Sequence, residues 1–166
     1  AGTGTVAFGW KGGIGTASRR TRQQNDTWTV GVLVQSNYGG RLTIAGVPVW
    51  RELTPATVAA ANPEPGTLNP EPRTTNPEPR TDADGSCIIV VATDAPLDAR
   101  DLERLAARAI FALARTGSTF SNGSGDYAVA FSTHPSLRLT ATDGPQPRTV
   151  LPTDGVSALF EAVMDT

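Results

Sequence analysis

The chain has 166 residues, 39% of them hydrophobic, and a formal net charge of −2, which allows one domain with a core but not two. A charge so close to zero gives no basic field to draw nucleic acid or an acidic membrane surface, and both are excluded as partners. A single cysteine (Cys87) rules out an internal disulfide, a single histidine (His134) rules out His-rich zinc sites, and no apolar run reaches the length of a membrane span. The chain reads as soluble, with the cytoplasm favoured over the periplasm or secretion.

In chain order, residues 3–10 alternate loosely and predict a short strand. The glycines of Lys11-Gly12-Gly13-Ile14-Gly15 then demand a sharp bend. Residues 27–35 (TWTVGVLVQ) are β-branched and aromatic and predict a buried strand. Asn37-Tyr38-Gly39-Gly40 is a turn signal, with a returning strand expected from Arg41. The composition then changes, because NPEP occurs three times at seven-residue spacing, beginning at Asn62, Asn69 and Asn76. Proline removes backbone donors and biases its neighbours toward extended conformations, so residues 55–84 read as an exposed linker that inclines to polyproline II.

Order is expected to resume at residues 87–92 (CIIVVA), a continuous apolar run predicting a strand covered on both faces. Asp98 is a good N-cap, and Leu102, Leu105, Ala106, Ala109 and Leu113 recur at helical spacing up to Gly117, which stops the helix. Residues 127–132 (YAVAFS) predict another strand. Asp154 is expected to cap a last helix carrying Val156, Leu159, Phe160 and Val163. Strands with two helices imply a layered α/β protein.

A Gly-Ser pair by itself reads as a turn, but Gly85-Ser86 stands at the junction of the linker and a buried strand. Cutting that bond would make Ser86 the first residue of the strand and place an α-amino group, with a pKa near 8, beside its own hydroxyl. Such an amine can serve as the base, so no histidine is needed. Glycine leaves the Gly85 carbonyl open to attack by the same hydroxyl in an N→O acyl shift. Lys11 beside the glycines lacks the full phosphate-loop pattern. Cys87 reads as a small hydrophobe in its strand, and His134 as a strand-end residue.

Residues 2–19 (GTGTVAFGWKGGIGTASR), 29–38 (TVGVLVQSNY), 85–97 (GSCIIVVATDAPL) and 123–133 (GSGDYAVAFST) closely resemble the L-aminopeptidase/D-esterase family of self-processing hydrolases, the DmpA type. The resemblance covers well over half the chain in the family's order. It implies a partial αββα sandwich similar to that of N-terminal nucleophile hydrolases, and cleavage between Gly85 and Ser86. It further implies an aminopeptidase or amidase acting on small peptides, amides and esters with a free amino terminus. No metal or organic cofactor is implied, and a homo-oligomer or a complementing chain is expected. By the same resemblance Asn37 matches an oxyanion-stabilising asparagine, and Ser124 and Asp126 match a serine and an acid near the nucleophile. Asp126 stands where some members carry the longer glutamate. The family's upstream catalytic tyrosine has no counterpart here, so the chain is expected to be truncated at both ends. A single partial domain follows, with residues 1–54 as strand and glycine loop, 55–85 as linker and 86–166 bearing the nucleophile. The competing expectation is a non-catalytic remnant that acts only by binding or assembly. An ornithine-acetyltransferase-like activity is disfavoured, because those enzymes use threonine as nucleophile.

Overall fold

The structure is a computed structural model and describes residues 4–23, 25–53 and 85–166. The linker expected at 55–84 lies outside the described residues. Four strands form the main sheet in the order β3 (Ile14–Gln23), β4 (Asp26–Gln35), β5 (Ile88–Thr93) and β6 (Tyr127–Ser132). The first two pairings are antiparallel, and β5 pairs with β6 in parallel. A parallel pair needs a crossover, and α1 (Ala99–Arg115) supplies it. A small ribbon of β1 (Val6–Ala7) and β2 (Trp10–Lys11) stands apart. α2 (Ser157–Met164) comes last.

Alternation along the strands sets the core. Val30 and Val32 of β4 and Ile89 and Val91 of β5 are buried on one face. There they join Leu105, Ala109 and Leu113 of α1, together with Leu159 and Val163 of α2, in one apolar cluster. Each fully buried Leu, Ile or Val contributes about 1.5–3 kcal/mol relative to exposure. The Asp98 side chain accepts from Asp101 N–H at 2.8 Å and caps α1 as expected. Gly117, at φ 93°, follows the helix in a conformation that side chains resist.

Several expectations are corrected. Of the strand expected at 3–10, residues 4–10 do not form one strand, because Phe8 and Gly9 take positive φ and fold the segment into the β1–β2 hairpin. β3 is an additional strand with little apolar signal, since it is a sheet edge whose residues are mostly exposed. No strand returns from Arg41: both edges of β4 are already paired, to β3 and β5, so residues 41–53 run as loop with a short 3-10 turn at Val49–Arg51. Asp154 lies within a 3-10 turn, Thr153–Val156, and its side chain makes no cap bond to α2.

The largest correction concerns β5, which is covered on one face only among the described residues. On the other face Ile88, Val129 and Phe131 are 47%, 57% and 47% exposed. One helical layer on one sheet is the α/β half of the expected sandwich.

Candidate active site

Strand register assembles the site. Gln35 pairs with Ile88 at the end of the β4–β5 ladder, so continuing two residues sets Asn37 across from Ser86. Ile88 pairs with Tyr127 at the start of the β5–β6 ladder, which sets Ser86 beside Gly125 and Cys87 beside Asp126. Hydrogen bonds realise the second extrapolation. Gly125 N–H donates to Ser86 Oγ at 3.1 Å, and Cys87 N–H donates to Asp126 Oδ1 at 2.9 Å. Ser124 Oγ donates to the same Asp126 oxygen at 3.2 Å. Asp126 is thereby held one residue from the candidate nucleophile by two donors.

On the β4 side, buried Gly85 is pressed against the Asn37 backbone. A methyl group on Gly85 would stand 2.1 Å from the Asn37 carbonyl oxygen and 2.8 Å from its carbon, so no other residue fits without moving backbone. Val6 N–H donates to Asn37 Oδ1 at 3.0 Å. An N–H can face only the oxygen of the amide, which fixes the side chain's orientation and leaves Nδ2 as the free donor end. The hairpin that carries Val6 is itself anchored by Phe8 N–H donating to Tyr38 O at 2.9 Å and by an edge-to-face contact between Phe8 and Tyr38. Gly12, which a Cβ would drive to 2.5 Å from the Ser36 carbonyl oxygen, lets the glycine loop close onto the same segment.

Ser86, Asn37, Ser124, Asp126 and Gly85, widely separated in sequence, thus converge at one end of the sheet. Ser86 is exposed and opens on the uncovered face. Its Oγ accepts from Gly125 and donates to no described residue, so its proton is uncommitted. The donor role of the Gly125 amide was missed from sequence, because it exists only through the parallel pairing of β5 with β6.

The residues set aside on sequence grounds have structural partners. Lys11 Nζ donates to Thr5 Oγ1 at 2.8 Å and to the Gly12 carbonyl at 2.9 Å, tying the loop. His134 lies at the far end of β6, where its Nδ1 accepts from Ser136 N–H and its ring meets Trp28 edge-on. Cys87 is fully buried. Desolvation, with the nearby Asp126 charge second, pushes its thiol up to about 12. The thiolate is then scarce at ordinary pH, so Cys87 is expected to resist alkylation by iodoacetamide at pH 8 in the folded protein and to react after denaturation. Intact mass before and after adding guanidinium checks this, and rapid labelling of the folded chain would contradict it.

The model of peptidase family S58 matches residues 1–166. A beta-peptidyl aminopeptidase from Sphingosinicella microcystinivorans is 41% identical over 163 residues, covering 97% of this chain and 40% of the relative. The PH0078 protein of Pyrococcus horikoshii superposes with a TM-score of 0.74 at 43% identity, over 99% of this chain and 40% of that one. The L-aminopeptidase D-Ala-esterase/amidase of Ochrobactrum anthropi, described as a new variant among the Ntn hydrolase fold, superposes with a TM-score of 0.76 at 33% identity, over 98% and 39%. The chain therefore spans about two fifths of the length of these relatives.

Proposed function

The chain belongs to peptidase family S58, and from that premise we propose that it carries the nucleophile of a self-processing N-terminal-serine aminopeptidase. The enzyme hydrolyses amide or ester bonds of small substrates with a free amino terminus through an acyl-enzyme on Ser86. The observation that carries the reading is the position of Ser86. It directly follows a glycine that nothing larger can replace, its Oγ is held by the Gly125 amide, and Asp126 binds the next peptide nitrogen.

In the joined chain the Ser86 nitrogen is an amide and cannot act as a base. Oγ attacks the Gly85 carbonyl carbon, the C–N bond breaks, and the nitrogen takes the proton, leaving an ester of Gly85 on Oγ. Water cleaves that ester to give a Gly85 carboxylate and a free Ser86 amine. In turnover the neutral amine accepts the Oγ proton as Oγ attacks the substrate carbonyl and returns it to the leaving group; it then takes a proton from the water that attacks the acyl ester and gives it to the departing Oγ, freeing the acid and restoring the serine. The Asn37 Nδ2 hydrogens donate to the developing oxyanion. Asp126 stabilises an ammonium, either that of Ser86 or that of the substrate, and Ser124 orients it. The named activities of the relatives, on beta-peptidyl and on D-Ala ester or amide substrates, make alanyl anilides of L, D and β type suitable probes. The uncovered apolar face supports a working form in which a second copy or a complementing chain packs against this sheet.

Intact mass and release of p-nitroaniline test the reading together. The expected result is two masses, divided between Gly85 and Ser86, with activity on at least one probe. A single uncut mass with no activity refutes it. The pH profile gives a finer check. An α-amino group titrates near 7.7–8.0, and a neighbouring carboxylate favours its charged form, so Asp126 raises that value. Only the neutral amine accepts a proton. kcat/KM should therefore fall about tenfold per pH unit below a limb at or above about pH 8. A limb near pH 6.5 would instead indicate a histidine.

A further inference from the structure

The side chain of Tyr127 has no place in the reaction just described, yet it lies beside the nucleophile. Alternation along β6 sets Tyr127 on the same uncovered face as Val129 and Phe131, and the parallel register sets it next to Ile88, two residues along from Ser86. Its side chain does not follow the sheet away from the site but folds back over Gly125. A methyl group built on Gly125 would lie 3.1 Å from Tyr127 Cε2, 3.4 Å from its hydroxyl oxygen and 3.6 Å from Ser86 Oγ. The phenol and the candidate nucleophile therefore flank one point, and the bare glycine at residue 125 leaves room for the ring there. The residue is 68% exposed, and its hydroxyl donates to no described residue.

From this geometry, and resting on the proposed reaction, we propose that the Tyr127 ring is a wall of the subsite for the transferred acyl group and limits the size of its side chain. The acyl carbon bonds to Oγ, so the substituent carried by the acyl group stays within two or three bond lengths of Oγ, about 2.5–4 Å, through both half-reactions. The leaving group departs after the first. The Asp126 carboxylate and Cys87 fill the helix side of the strand, and Asn37 occupies the β4 side. The acyl substituent is left with the uncovered face, where the Tyr127 ring stands.

The test compares glycyl and leucyl p-nitroanilides, or β-alanyl and β-leucyl anilides for a β-specific enzyme, on the purified protein and on Tyr127→Ala and Tyr127→Phe. Removing the ring should raise the ratio of kcat/KM for the bulky over the small acyl group about tenfold, the scale on which apolar pockets discriminate. Tyr127→Phe keeps the wall and should leave the ratio within about twofold. Intact mass should show normal processing in both variants, and a change in ratio is something a folding defect would not produce, since it scales both substrates alike. An active parent whose ratio is unmoved by Tyr127→Ala overturns this inference alone. A parent inactive on all probes overturns it together with the reading on which it rests.

Discussion

Ser86→Ala is expected to leave one uncut chain and to remove hydrolysis, with kcat falling by a factor on the order of 10⁴–10⁶, the scale of nucleophile deletions in serine hydrolases. Both losses follow from a single atom. In the proposed reaction Oγ attacks Gly85 in processing and attacks substrate afterwards, so on that reading no other residue can sustain one reaction without the other. The substitution should not unfold the chain, because Ser86 is exposed and its one hydrogen bond, accepted from Gly125 N–H, faces solvent that can replace it. The melting temperature should stay within a degree or two of the parent. A variant that is still cut at residue 85, shown by intact mass, would remove Oγ from the processing step. Persistent release of p-nitroaniline would remove it from turnover.

The second large effect is expected at Asn37. Asn37→Asp keeps an oxygen to accept from Val6 N–H, so the local fold is retained. It removes the Nδ2 donors and adds a negative charge where the proposed transition state develops one. Loss of one oxyanion donor costs about 10²–10³ in kcat, and the added repulsion sets the expected loss at the upper end of that range or beyond. KM should change little, because a ground-state carbonyl demands far less of the donor than an oxyanion does. Asn37→Ala should show a similar kinetic loss with lower stability, since it leaves the Val6 N–H without its partner. Unimpaired kcat in Asn37→Asp, with the protein folded and processed, would show that the amide is only a structural tie for the β1–β2 hairpin.

Local signals were legible wherever one residue's chemistry decides a local conformation. The Asp98 cap, the apolar spacing of α1, the strand at Tyr127–Ser132 and the break at Gly117 all depend on neighbours a few residues away. β3 was illegible for the opposite reason. A sheet edge with no covered face needs no apolar alternation, so Ser18, Arg19 and Arg20 carry no strand signal. The returning strand expected at Arg41 failed because strand propensity does not reveal that β4 already has two neighbours.

The site divides along the same line. The sequence by itself determined which groups are available: a serine after a glycine, an amide, an acid, one cysteine and no second histidine. It could not determine that residues 37, 86, 125 and 126 meet, because that depends on two ladders whose registers are set by burying Val30, Val32, Ile89 and Val91 under α1 and α2. A slip of β5 by one residue against its neighbours would turn Ser86 toward the helices and Ile89 and Val91 toward water. Packing of the core therefore decided where the nucleophile points, and with it the Gly125 donor and the ring of Tyr127 beside it.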